Sequence, residues 1–478
     1  MTFTELDYLF IFLPLVVVGY HLLRGTIWAN VLILGASYYF YGAVTPWYLI
    51  PLVVTSLIDF LVGIRLSKTE RQSARRCWLI VSLVANLGLL GFFKYTPWLI
   101  NEFNQGLAVA GAGFALPVLA VVLPPGISFY TFQTMSYTIE VYRREMAPAR
   151  NLVDYMAFVT FWPHLVAGPI MRARNLLRQL ETLRPVITAD DFRCALVLIA
   201  WGLFKKLVLA DNFGNITELA EKAVRSNAEM PGLGLLFAYA FAGQIYCDFS
   251  AYTDIARGSA RLIGVELVRN FHTPYFAASP GEFWRRWHIS LSTWLRDYLY
   301  IPLGGNRYGR RVEYRNLMIT MTLGGLWHGA GILFVLWGIF HGAMLVLYRL
   351  VPIDRYLIGW LGRLGKWLSI LITFHLVCFG WLLFRAHTDT ILPLLRSLAV
   401  WHFTPDSLTL LYFYARGILV LGAIVVITDY LGYREDVEFP DLFRRWNPYV
   451  LTGLAVACYF GITIFARRET AQFIYFQF

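Results

Sequence analysis

The stretch Leu317-Met-Ile-Thr-Met-Thr-Leu-Gly-Gly-Leu-Trp-His-Gly-Ala-Gly331 carries no formal charge, and an apolar run over 330–350 follows it. About 20 apolar residues cross a bilayer, so this run has the length of a span. Comparable segments lie at about 8–23, 27–43, 47–64, 77–93, 106–123, 151–168, 194–210, 232–247, 367–385, 408–428 and 449–466. Of the 478 residues 58% are hydrophobic and 15% charged, and the mean hydropathy is +0.55. That composition excludes an ordinary soluble enzyme and predicts an all-α, polytopic membrane protein. The 16 Trp and 28 Tyr suit membrane interfaces and the lining of an internal cavity. The net charge of +11 reads as topology charge on cytoplasmic loops facing anionic lipid, with no nucleic acid as partner.

Charge and punctuation set the expected topology. The loop Arg65–Arg76 holds five basic residues against Glu70 alone, which places it in the cytoplasm. Counting back three spans puts the N-terminus outside. The acidic start before Tyr8 makes 8–23 a retained first span and not a cleaved signal. Arg172, Arg174, Arg178 and Arg184 mark a second basic loop, and Arg307, Arg310, Arg311 and Arg315 a third. Leu123-Pro-Pro-Gly126 and Gly324-Gly325 suggest broken or re-entrant helices, which survive at membrane depth only against protein or a wet cavity. No repeat and no pair of matching halves is visible, so residues 1–478 read as one membrane domain. Five scattered cysteines outline neither a disulfide framework nor a zinc site, and no metal is expected.

An ionisable group at membrane depth is costly and therefore often functional. His328 stands first. In a helix, Gly324 and Gly325 lie four and three residues before it on the same face, leaving open space beside the imidazole for a thin substrate arm. The alternative is a satisfied core histidine, the glycines serving close helix packing. His288 falls in Glu282–Tyr300, read as one amphipathic interfacial helix with Trp284, Trp287, His288, Leu291, Leu295 and Tyr298 on its apolar side. It is a second active-site group or a hydrogen-bonded wedge. His341, between Gly338 and Gly342, reads as structural, and His164, between Pro163 and Pro169, as part of a bend. Asp248 and Asp254 either orient a histidine or pair with an arginine. Nucleophile-elbow, phosphate-loop, dinucleotide and zincin motifs are absent from the sequence. A base-type histidine that takes a proton from a hydroxyl attacking an activated acyl carbon needs none of them.

Pro125-Gly-Ile-Ser-Phe-Tyr130, Pro163-His-Leu-Val-Ala-Gly-Pro169, Asp248-Phe-Ser-Ala-Tyr-Thr-Asp254, Phe283–Tyr300 with its Trp-Arg-Arg-Trp-His block, Gly304-Gly-Asn306 and Arg315–Gly329 with Leu-Trp-His-Gly together resemble the membrane-bound O-acyltransferase family. The likeness is strongest to the bacterial branch serving alginate O-acetylation, and D-alanyl transfer to teichoic acids is more distant. Ala251 departs from the glycine expected there. The resemblance implies roughly 11–13 transmembrane helices, with re-entrant and interfacial helices, around a central tunnel. Core motifs would span about 124–345, with peripheral helices over 1–123 and 351–478. It implies catalytic His328, partner His288, tunnel-lining Trp327, Asn316, Gly324 and Gly325, and supporting Asp248 and Asp254. It also implies no bound cofactor, acetyl coenzyme A or another acyl thioester as donor substrate, a polysaccharide acceptor, periplasmic transfer partners, and a bacterial inner membrane with the N-terminus periplasmic. D-alanyl transfer from a carrier-protein thioester, a transporter, and a scaffold of a secretion complex are the competing readings.

Overall fold

Polar side chains at regular intervals inside apolar helices organise the first part of the chain. In a computed structural model, which describes residues 1–43, 45–111, 113–119, 121–184, 186–226, 231–399, 402, 404–442, 448–466 and 473–474, the described residues form helices and irregular segments, with no strand among them. They fall into two compact units, Met1–Leu196 with Ile255–Val268, and Val197–Asp254 with Arg269–Phe478. Among the described residues, five helices are long and apolar enough to cross a membrane: Pro46–Lys68, Gln72–Val109, Ile332–Leu350, Ile353–Arg385 and Ser407–Glu435. Tyr8–Leu23 and Thr452–Phe465 are shorter apolar helices. The protein is all-α and polytopic, as its composition predicts.

In the first unit, α1 (Leu13–Leu23), α2 (Ile27–Gly42), α3 (Leu49–Lys68), α4 (Gln72–Leu90) and α5 (Ile127–Tyr142) are the main helices. The buried stripe of α3 runs Leu52, Thr55, Ser56, Asp59, Val62, Gly63 and Leu66, the spacing of one helical face. Asp59, fully buried, accepts hydrogen bonds from Ser82 Oγ at 2.6 Å and Asn86 Nδ2 at 2.8 Å on α4. Thr134 of α5 in turn donates to Asn86 Oδ1 at 2.9 Å. Without a hydrophobic drive between helices in lipid, such bonds and close packing hold a bundle, each bond contributing roughly 0.6 kcal/mol. Gly63 provides the close approach, since a Cβ there would overlap the Tyr137 hydroxyl of α5. One arginine of the basic loop serves packing: Arg75, 3% exposed, donates to the carbonyls of Thr69, Val141 and Tyr142 that helix ends leave open.

Three segments depart from the sequence expectation. The apolar segment 106–123 does not continue as a helix: Thr96–Val109 ends there, Gly111 adopts φ +73°, and the described residues of 113–119 and 121–126 are irregular up to Gly126 at φ +74°. Apolar composition is present, but three glycines (Gly111, Gly113 and Gly126) and three prolines (Pro117, Pro124 and Pro125) interrupt the ladder. Asn104 satisfies the freed backbone by exchanging two hydrogen bonds with Leu116, at 2.9 and 2.8 Å. The segment 151–168 splits into Leu152–Thr160 and Trp162–Leu165, a broken helix buried within its unit, with His164 Nε2 3.2 Å from Gln133 Nε2. Gly324-Gly325, expected to break a helix, lie inside the continuous Arg310–His328.

In the second unit, α6 (Pro280–Arg286), α7 (Ile289–Leu295), α8 (Arg310–His328) and α9 (Ile332–Leu350) build the region around the two candidate histidines. The chain turns between α8 and α9 at Gly329-Ala-Gly331. The two helices pack through glycine: a Cβ on Gly338 would come within 2.4 Å of the Met321 carbonyl, and one on Gly325 within 2.2 Å of the Phe334 carbonyl.

Candidate active site

The expected single helix over Glu282–Tyr300 is two helices. α6 ends at Arg286, His288 adopts a left-handed conformation (φ 42°, ψ 54°), and α7 starts at Ile289 as a new turn. A non-glycine residue in that region is held by its surroundings, and such strain gathers at functional sites. Asn270 supplies the hold. Fully buried, it accepts from the Ile289 N–H through its carbonyl at 2.9 Å and from the Ser290 N–H through Oδ1 at 3.2 Å. The His288 carbonyl still accepts from the Ser292 N–H at 2.9 Å, so it caps α7 while its imidazole leaves the helical face. Trp287, His288, Leu291 and Leu295 are buried as expected, but Ser290 and Trp294 are buried too, because the break rotates α7 relative to α6.

His328 is the last residue of α8, with Gly329 extended behind it. Its ring lies 5.0 Å from Trp327, 5.1 Å from Trp337 and 5.2 Å from Phe384, centroid to centroid, each edge to face. The His288 ring is 6.4 Å away and rests edge to face on Phe249 at 4.6 Å. Two histidines separated by 40 positions therefore meet in one aromatic box, His288 fully buried and His328 5% exposed.

A cavity of about 220 Å³ opens beside His328, lined among others by Leu295, Gly324, Trp284 and Trp337, with Arg296 and Arg349 also on its wall. Arg296 pairs with Asp297 at 2.6 Å and Arg349 with Glu313. Gly324 is where the absence of a side chain makes room, its nearest would-be neighbour being Leu295 Cδ1 at 3.2 Å. Gly325, one residue on, faces α9 and makes helix contact rather than space. The indole N–H groups of Trp284 and Trp337 are buried without a hydrogen-bond acceptor. Neither was singled out as a donor from the sequence: Trp284 was placed only on the apolar side of Glu282–Tyr300, and Trp337 lies in an uncharged run where a tryptophan looks like packing.

The remaining candidates take other positions. Trp327 is buried 6.1 Å from the His288 ring and is not part of the cavity wall. Asn316, fully buried, donates to the carbonyls of Leu303 at 3.2 Å and Gly305 at 3.0 Å, pinning the Gly304-Gly305 turn. Asp248 and Asp254 each meet a lysine. Lys206 bridges Asp248 at 3.0 Å and Asp211 at 2.9 Å, and Lys205 meets Asp254 at 2.7 Å. Lysines fill this role because the Lys205-Lys206 pair lies on a π-helical turn whose extra residue per turn directs both side chains inward. His341 is fully buried against Trp284 and Trp337, at 5.1 and 4.6 Å, with neither ring nitrogen hydrogen-bonded, consistent with a packing role.

Among the described residues no three His, Cys, Asp or Glu side chains cluster to hold a metal ion. An imidazole, two indole donors and an apolar slot suit proton transfer at a polarised carbonyl.

The profile of the membrane-bound O-acyltransferase family matches residues 33–382. The chain is 37% identical over 446 residues to the "probable alginate O-acetylase" of Pseudomonas aeruginosa, covering 92% of this chain and 83% of that one. It is 40% identical to the protein of the same description from Azotobacter vinelandii, over 81% of this chain and 75% of that one. It is 33% identical to the peptidoglycan O-acetyltransferase of Helicobacter pylori, over 82% and 78%. With both histidines inside the matched region and His328 on the wall of a cavity, the chain belongs to the membrane-bound O-acyltransferase family and is a multi-pass O-acyltransferase.

Proposed function

We propose that this protein moves an acetyl group from a cytoplasmic thioester, acetyl coenzyme A or another acyl thioester, to an acceptor hydroxyl on the outer side, for O-acetylation of an exported alginate-like polysaccharide. The observation that carries the reading is His328 on the wall of a slot that is apolar apart from its edge. His328 removes the proton of the acceptor hydroxyl as its oxygen attacks the thioester carbonyl. The C–O bond forms, the C–S bond breaks, and the departing thiolate takes the proton back from the imidazolium, leaving an ester and a free thiol. A positioned base contributes about 10²–10⁴-fold. His288, 6.4 Å away, orients the acyl group. The free indole N–H groups of Trp284 and Trp337 are the kind of donor that the developing oxyanion requires. The apolar walls hold the thioester away from water.

In this reading the whole chain is one domain of a bacterial inner membrane with its N-terminus periplasmic, and periplasmic partners carry the acetyl group onward. Asn316 and Trp327 position the turn and the His288 ring, and Asp248 and Asp254 brace the scaffold. Cells lacking the protein, complemented with wild type, His328→Ala or His288→Ala at matched membrane levels, test the proposal through polymer-bound O-acetyl. Full acetylation by His328→Ala would leave a scaffold or transporter as the account. Offering the purified protein D-alanyl carrier thioester beside acetyl coenzyme A separates the alternative donor, and transfer from the carrier alone would replace acetyl in the proposal.

A further inference from the structure

The first unit contains a second cavity, also of about 220 Å³, which the transfer chemistry does not use. Tyr20, Gly25, Thr26, Asn30, Asp154 and Arg184 are among its lining residues. Arg184 is the unusual member. It is 5% exposed, its Nη2 donates to Asn30 Oδ1 at 2.7 Å, and its guanidinium lies 4.4 Å over the Tyr20 ring. Its Nε and Nη1 are buried with no hydrogen-bond acceptor. Burying an arginine with two open donors is costly unless something else completes it.

The start of α2, a helix of 16 residues, lines the same cavity. Thr26, its N-cap, makes no side-chain bond to the helix and donates instead to the Leu23 carbonyl at 2.7 Å. The Ala29 N–H meets the Thr26 carbonyl at 3.2 Å, while the Ile27 and Trp28 N–H groups at the start of α2 stay open, where the helix dipole favours negative charge. Gly25 makes the approach at φ +83°, a conformation that favours glycine. Arg24 adds a second positive charge, its Nε donating to the Arg184 carbonyl at 3.1 Å.

The acids on the wall already have partners. Asp154 Oδ1 accepts from Asn30 and its Oδ2 from Asn151, both at 2.7 Å. Glu181 Oε1 accepts from the Arg150 N–H at 2.9 Å, and its Oε2 lies 3.9 Å from the Arg150 guanidinium. The volume is that of roughly seven waters, enough for a phosphate ester. Leu23, Ile27, Trp28 and Leu183 are exposed around the site, the collar of apolar and indole side chains that meets lipid at a membrane interface.

We propose that this cavity binds a phosphate oxyanion, held by the Arg184 guanidinium and the open N-terminus of α2. The oxyanion belongs to an anionic phospholipid headgroup or to soluble phosphate. The test uses the full-length, delipidated protein in detergent with dioctanoyl phosphatidylglycerol, dioctanoyl phosphatidylcholine and inorganic phosphate. Binding is read by native mass spectrometry and by the shift in unfolding temperature. Saturable binding of phosphatidylglycerol alone identifies the headgroup, and binding of inorganic phosphate as well identifies the free oxyanion. Either supports the proposal if Arg184→Gln and Thr26→Asp each weaken it roughly tenfold or more, as loss of a charged hydrogen bond predicts. Thr26→Asp decides the matter if Arg184→Gln does not fold: aspartate is a favoured N-cap, so the helix is kept while its carboxylate repels the anion. Binding by neither anionic probe, equal binding by variant and wild type, or binding of phosphatidylcholine as tight as that of phosphatidylglycerol overturns it.

Discussion

Two cavities of equal volume, about 220 Å³ each, have opposite walls. The one beside His328 is built from rings and aliphatic side chains, and its two arginines, Arg296 and Arg349, have carboxylate partners. The one beside Arg184 has an arginine inside, two of its donors open. Size alone assigns no ligand. An apolar wall with one imidazole suits an uncharged acyl arm and a proton transfer, whereas open N–H donors suit an anion that stays bound.

The largest expected effect falls on the first cavity. His328→Ala should lower acyl transfer by about 10²–10⁴-fold in the purified protein, with anion binding at Arg184 retained. Loss of both would mean that the two sites are not separate. Lys206→Met strips the common partner from Asp211 and Asp248, all three being buried. An uncompensated buried charge costs about 3–5 kcal/mol, which thermal unfolding would read. An unchanged unfolding temperature would show that those carboxylates are stable without lysine. Trp337→Phe keeps the ring packing but removes one N–H donor. Turnover at saturating donor should fall by roughly 10²-fold if that group serves the oxyanion, and unchanged turnover would assign Trp337 to packing alone. Smallest is Gly324→Val, which narrows the slot against Leu295. The KM for the donor should rise severalfold, while stabilisation by phosphatidylglycerol should match wild type. A shift in the lipid response with an unchanged KM would reverse the roles given to the two cavities.

The site was legible in part. His328 and Gly324 stand where helical spacing puts them, on one face of α8 and beside one cavity. Gly325 obeys the same spacing, but α9 occupies its side, and no local pattern announces which of two adjacent glycines will meet a neighbour. The break at His288 was not legible. Residues 282–300 keep an amphipathic period, and the left-handed turn depends on Asn270, 18 positions earlier, whose bonds form only after folding. Asp248 and Asp254 were recognised as needing partners, but the lysines that meet them were not foreseen, because a π-helical turn aims Lys205 and Lys206 inward. Arg184 counted in the sequence as one charge of a basic loop, and only its position against Asn30 and Tyr20 makes it a buried donor.

The sequence by itself determined the solvent and the class of fold. A composition of 58% hydrophobic residues with 15% charged has to bury its backbone in helices when it meets lipid, and that requirement is local and additive along the chain. The two histidine blocks, as specific words, determined the family. Tertiary structure alone decided which polar groups were completed by others and which were left open, as in the 6.4 Å meeting of His288 with His328 and the open donors of Trp284, Trp337 and Arg184. Such completion depends on pairs far apart in the chain, whose distances and angles are fixed when helices pack and cannot be summed from residue to residue.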